Sequence, residues 1–195
     1  MKKKLLALAL LSTFAAPAVA AMDEGVYLVG LLGNTSNISN AEKGSSFAGL
    51  IGYQFSPLFS VEFGMTSLVD KANYLTPKTP GYGGVGSYTS TSLAGSEFAA
   101  VIGVPLNEDF SILVRLGFAS MERKDNPSPA EVETSWKGSV YGLGAQYMLP
   151  YEFGFNGGKL KIGLRAGFSK YNLKDPTGLL TETPTNTHIG GVILF

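Results

Sequence analysis

The chain has 195 residues with 15 Lys+Arg, 15 Asp+Glu and no cysteine. Without cysteine there is no disulfide framework and no thiolate metal site, and a charge balance without basic excess argues against a nucleic-acid binder. The length suits one domain of ordinary size.

The first twenty residues, MKKKLLALALLSTFAAPAVA, place three lysines before an apolar run from Leu5 to Phe14 and close on Ala18, Val19 and Ala20. That order predicts a signal peptide over residues 1–20, cleaved after Ala20. The run is too short to span a bilayer as a helix, and Asp23 and Glu24 follow it rather than a stop-transfer pattern. The remaining single domain, residues 21–195, carries three more acids than bases. No stretch within it approaches the roughly 18 apolar residues of a spanning helix, so any membrane role falls to strands.

A two-residue period runs through that domain. It predicts about eight strands, near residues 25–33, 46–55, 59–67, 92–104, 110–121, 136–148, 159–171 and 187–195. In SVEFGMT, Val61, Phe63 and Met65 oppose Ser60, Glu62, Gly64 and Thr66. In SEFAAVIGV, Phe98, Ala100, Ile102 and Val104 oppose Glu97, Ala99, Val101 and Gly103. In SILVRLGFA, Ile112, Val114, Leu116 and Phe118 oppose Ser111, Leu113, Arg115 and Gly117. In KLKIGLRAGFS, Leu160, Ile162, Leu164, Ala166 and Phe168 oppose Lys161, Gly163, Arg165, Gly167 and Ser169. The final THIGGVILF puts Ile189, Gly191, Ile193 and Phe195 on one face.

Short connections at Phe55–Leu58, Pro105–Asp109 and Leu149–Gly158 alternate with long ones at 34–45, 68–91, 122–135 and 172–186. Prolines after the signal segment all fall in these connections or at strand ends, as residues that cannot donate a ladder hydrogen bond should. Turns on one side and loops on the other describe an eight-stranded, antiparallel, up-and-down transmembrane β-barrel. In hydrocarbon every backbone group must pair between strands, so the last strand is expected to close on the first, GVYLVGLLG. Phe55, Phe59, Phe110, Tyr147 and Phe195 would form the aromatic girdle on the turn side.

IGYQFSPLFSVEFG, VIGVPLNEDFSILVRLG and the terminal GGVILF resemble the transmembrane domain of outer-membrane protein A and its eight-stranded relatives. The resemblance implies an outer-membrane location in a Gram-negative cell, contact with outer-membrane lipid and lipopolysaccharide, and no periplasmic peptidoglycan-binding domain. It also implies that Ile189, Ile193 and Phe195 are read by the barrel-assembly machinery. The family's interior charge network matches at Glu62, Arg115 and Arg165 and departs at Val101 and Gln146. With Glu97, the inward positions offer two acids, two arginines and Gln146, which fit a self-neutralising plug better than a conduction gate.

An enzyme of the lipid-A-modifying kind needs a histidine with a nearby serine, but the single histidine, His188, is followed by Ile189 and Gly190 and points inward by alternation. GYGGVG at 81–86 matches a dinucleotide fingerprint only formally, since no helix pattern follows it. The sequons in NTSNIS, 34–39, have no bearing in an outer-membrane chain. A soluble lipocalin-like barrel would need a charged exterior that these sparse polar positions do not supply. The expected protein is a monomeric surface barrel with a structural and adhesion-like contact role and no cofactor. Its loops meet a host or surface ligand, and a small low-conductance pore is the alternative.

Overall fold

The protein, seen here as a computed structural model, is described over residues 24–38, 44–75, 88–126, 132–155 and 158–195. The predicted signal peptide, the GYGGVG segment and the centres of the first three long loops lie outside those residues. The strands are β1 (Gly25–Ser36), β2 (Gly44–Ser56), β3 (Phe59–Leu75), β4 (Tyr88–Pro105), β5 (Phe110–Asn126), β6 (Val132–Phe155), β7 (Gly158–Lys174), β8 (Thr181–Glu182) and β9 (Thr185–Leu194). Every sequential pair from β1 to β7 is antiparallel, β7 pairs with β9, and β9 pairs with β1 from Tyr27↔Leu194 to Ser36↔Thr185. The sheet is therefore a closed barrel.

The ninth strand is not an extra stave. Lys170 pairs with Thr185 and Leu173 with Glu182 in one continuous register, and Tyr171 N–H still donates to Pro184 O at 2.9 Å between them. Pro184 has no N–H to return, so the ladder breaks there and one strand reads as β8 plus β9. Eight staves close the barrel, as the sequence predicts.

The outward faces show where the hydrocarbon stops. Toward the loops, the outward series turns from apolar to polar on seven of the eight walls: Leu32 to Asn34, Phe47 to Ser45, Phe98 to Ser96, Phe118 to Ser120, Tyr141 to Ser139, Phe168 to Lys170 and Ile189 to Thr187. On β2 the apolar series from Phe47 to Phe55 takes eight steps. At about 3.4 Å per residue and a tilt of roughly 40°, that is about 21 Å of height, close to the ~25 Å band of outer-membrane barrels. Leu32, Met65 and Phe118 are 68%, 68% and 72% exposed, a continuous apolar belt that a soluble monomer does not carry. Phe55, Phe59, Tyr147 and Phe195 are exposed at the turn end, and Phe110 pairs with Tyr147.

Three expectations are corrected. Much of the predicted long loops is strand: 34–36, 44–45, 68–75, 88–91, 122–126, 132–135 and 172–174 all continue the ladder. Outside the membrane the outward positions become Ser, Asn, Lys and Glu, so the lipid half of the alternation vanishes. The inward half persists in Leu68, Val69, Leu93, Met121, Trp136, Tyr171 and Leu173, which form an outer core with Ile38, Ala119 and Val140. The connection predicted at Leu149–Gly158 is instead an extension of β6 and β7 to the pair Phe155↔Gly158. Pro150 therefore lies within β6, at the register shift between Met148 and Glu152, a bulge being where a missing N–H is tolerated. Finally, the acids, arginines and Gln146 read from the sequence are not the whole of the inward filling. Tyr27, Val29, Leu31, Ala48, Leu50, Met148, Val192 and Leu194 form a second apolar cluster, centred on the wall made by β9, β1 and β2.

Candidate functional site

Alternation on β3, β4, β5, β6 and β7 sends Glu62, Glu97, Arg115, Gln146 and Arg165 inward, and the structure brings all five together. Glu62, wholly buried, accepts from Arg115 Nε at 3.0 Å on Oε2, and from Arg165 Nη1 and Tyr27 OH (2.9 Å) on Oε1. Glu97 accepts from Arg115 Nη2 at 2.8 Å and Thr66 Oγ1 at 2.8 Å on one oxygen, and from Tyr171 OH at 2.9 Å on the other. Gln146 Oε1 accepts from Arg165 Nε at 3.1 Å and Nη2 at 2.8 Å. Arg115 thus bridges both glutamates, and Arg165 bridges Glu62 and Gln146.

Two carboxylates and two guanidiniums leave the cluster neutral, which a buried set must be. Val101 and Gln146, neither of them charged, keep that count. Val101 is the register partner of Arg115, and Gln146 is the register partner of Arg165. Lacking a base at the first and an acid at the second preserves neutrality, while the amide still presents a carbonyl to Arg165.

Local packing sets the geometry. Tyr27, Gly52 and Glu62 lie opposite one another on β1, β2 and β3. A Cβ on Gly52 would lie 2.1 Å from Tyr27 Cζ, so only glycine lets the ring cross its neighbour strand to reach Glu62. The tyrosine hydroxyl also lies 3.0 Å from Ser60 Oγ, and Arg165 Cζ stands 5.7 Å from the centroid of the same ring, within cation–π range.

Tyr27, Thr66 and Tyr171 were not singled out from sequence. Inward phase was the available signal for all three, Tyr171 continuing the series of Arg165 and Ser169, and for Tyr27 also the glycine opposite it. A second interior pair was also missed. Arg123 Nη1 donates to Glu182 Oε1 at 2.6 Å, both side chains buried, and ties β5 to β8 in the loop-side half of the lumen. Both residues fall in segments predicted to be loops.

The remaining predicted positions are as follows. His188 faces inward with its Nδ1 buried and without a hydrogen-bond partner among the described residues, beside a small cavity also lined by Arg115, Arg165 and Ser169. No three His, Asp or Glu side chains come together as a metal site among the described residues. Ile189, Ile193 and Phe195 are exposed on the outer face of β9 and just after it. The cavities beside the charge cluster measure about 20 and 30 Å³, room for a water or two each. Chemically, such a cluster holds a shape: each carboxylate accepts from three donors on other strands.

The family model of the outer membrane protein beta-barrel domain matches residues 6–190. The chain belongs to that family. It is an outer-membrane protein crossing the bilayer by strands. Among solved structures, Neisserial surface protein A shares 12% identity over 88% of this chain and 96% of that one, with a TM-score of 0.56. The attachment invasion locus protein Ail of Yersinia pestis shares 13% over 88% and 97%, TM-score 0.53, and has also been solved with the heparin analogue sucrose octasulfate. The N-terminal β-barrel domain of Pseudomonas aeruginosa OprF shares 11% over 88% and 98%, TM-score 0.52. At these identities the likeness is one of fold. No curated protein matches the sequence.

Proposed function

We propose that the chain is exported by the signal segment 1–20 and assembled through the outward Ile189, Ile193 and Phe195. It then serves as a closed, monomeric barrel that meets an external ligand through its loop side. The observation carrying this reading is the contrast between lumen and rim. The lumen is filled by a neutral ion cluster and two apolar clusters, which supports a non-conducting, non-enzymatic role. The rim is built far past the lipid boundary: β4 runs ten residues from Phe98 to Tyr88, on the order of 25 Å of height.

The last hairpin ends in an ordered turn. Asp175 accepts from Leu180 N–H at 3.0 Å and from the Thr177 hydroxyl, and Gly178 takes φ 72°. That turn presents Leu179 and Leu180 at 85% and 62% exposure, apolar area held ready for a contact. The segment 76–87, with four glycines, two threonines and Tyr82, adds side chains suited to binding at low entropic cost. Attachment of cells displaying the barrel to host cells or phage tests this. Replacing 76–87 by a short turn, together with Leu179→Ser and Leu180→Ser, should abolish attachment while folding persists as heat-modifiable gel mobility. Undiminished attachment, or single-channel currents from the purified wild type in planar bilayers, would overturn the reading.

A further inference from the structure

Six lysines have described side chains, and they divide by place. Lys124 pairs with Glu133, and Lys159 and Lys161 pair with Glu152 at 2.7 and 3.3 Å. Lys137, Lys170 and Lys174 have no carboxylate partner among the described residues. These three share one outward patch on β6 and β7. Lys137 stands directly opposite Lys174, Lys170 lies opposite Tyr141, and Ser139 and Asn172 pair between them. The nearest acids are engaged or displaced. Asp175 is turned into its own hairpin, Glu182 points inward to Arg123, and Glu122, opposite Ser135 and diagonal to Lys137 on β5, forms no ion pair with it.

Like charges directly opposed across a ladder destabilise it, and no carboxylate among the described residues pairs with either lysine. Position supplies the reason to keep them. Lys170 is the first outward residue past Phe168, where the apolar belt ends, and Phe168 pairs with Leu143 just below. The patch is thus a set of three ammoniums, an amide, a hydroxyl and a tyrosine at headgroup height, directly above a lipid-facing apolar stripe. An acyl-bearing anion matches both halves; a soluble anion matches only the upper one.

We propose that Lys137, Lys170 and Lys174 form a headgroup site for a phosphorylated lipid of the outer leaflet, its acyl chains lying along Phe168 and Leu143. The site rests on the barrel's place in the membrane and is independent of the surface-contact role. Phosphate oxygens would accept from the three ammoniums, with Asn172 and Ser139 as neutral partners, and occupancy converts a repulsive ladder rung into a bridged one.

The test uses the chain purified from outer membranes into detergent, with native mass spectrometry counting bound lipid. The probes are a bisphosphorylated acylated glucosamine disaccharide, the same lipid stripped of phosphate, and inorganic phosphate as competitor. Wild type should retain the phosphorylated lipid about tenfold better than the stripped one, and inorganic phosphate at millimolar concentration should not displace it. Lys137→Gln/Lys170→Gln/Lys174→Gln should lose that preference, Lys137→Arg/Lys170→Arg/Lys174→Arg should keep it, and Lys159→Gln/Lys161→Gln at the opposite rim should leave it unchanged. Heat-modifiable mobility confirms that each variant is folded, and Lys170→Gln alone should lower retention if the triple variant is not. Equal retention of the two lipids, retention by the triple glutamine variant within twofold of wild type, or displacement by inorganic phosphate would each overturn the proposal.

Discussion

Replacing Glu62 by Gln tests whether the interior cluster holds the barrel together. The side-chain volume is unchanged, so no cavity term enters. The carboxylate now receives Arg115, Arg165 and Tyr27. A carboxamide can accept on one oxygen only and turns two N–H groups toward guanidiniums that are themselves donors. The cluster passes from neutral to one uncompensated positive charge at a wholly buried site. Two charge-assisted hydrogen bonds at roughly 1.5–3 kcal/mol each, or a broken buried pair at roughly 3–5 kcal/mol, agree on a loss of about 3–5 kcal/mol. Trp136, the sole tryptophan and buried in the outer core, reports unfolding by fluorescence, so urea titration of the barrel in phospholipid vesicles measures the change. Glu62→Gln with Arg165→Gln should restore at least about 1.5 kcal/mol of what the single changes lose, because the double variant is neutral again. A loss below about 1 kcal/mol for Glu62→Gln, or strict additivity in the double variant, would refute the reasoning.

Gly52→Val must push the Tyr27 ring off its path to Glu62 and should cost about 2–3 kcal/mol in the same titration. Gly49→Val on the same strand, where an added Cβ meets nothing within 4 Å, should be neutral. Ile51→Arg, halfway along the β2 apolar series, should cost roughly 2–4 kcal/mol in thick bilayers, whereas Ser139→Arg beyond the boundary should cost less than about 1 kcal/mol. At the last hairpin, the Thr177 hydroxyl and the Leu180 N–H hold the Asp175 carboxyl below its ordinary range. A depressed carboxylate pKa keeps the turn ordered above the unfolded carboxyl range and releases it as pH falls through the lower folded value. The Leu180 amide shift in NMR should therefore stay constant from neutrality until below about pH 4, and Asp175→Asn should remove the acid-range transition.

The parts of the barrel inside the bilayer were legible because two solvents act on the two faces there. Lipid requires Phe63, Met65, Leu116 and Phe168 on one side, and a narrow lumen accepts Glu62, Arg115 and Arg165 on the other, so the chain alternates and the charge cluster can be picked out by phase alone. Outside the bilayer, water bathes the outer face, Ser, Asn and Lys replace the apolar series, and a strand segment such as 68–75 reads as a loop although Leu68 and Val69 at its start are fully buried. The same blindness hid Arg123 and Glu182. Pro150 misled in another way, since a proline marks either a turn or a bulge and only the register across β6 and β7 distinguishes them. Tyr27 could be phased inward, but its reach to Glu62 depends on the absence of a side chain at Gly52, a contact between strands rather than a pattern along one.

The filled lumen also bears on what variation this scaffold can accept. Each charged interior group has partners on other strands: Glu62 of β3 holds β1, β5 and β7, and Glu97 of β4 holds β5 and β7. A change of charge at any one position alters the neutrality of the whole cluster, so interior charges are tied to one another. The rim has no such coupling. Its outward residues touch water, its cohesion comes from the ladder and from the inward apolar residues, and substitution of exposed groups there leaves both intact. Surfaces that meet the outside are therefore free to diverge on a barrel whose interior is not, and a chain only 12% identical to a solved relative can keep the same staves while presenting a different face.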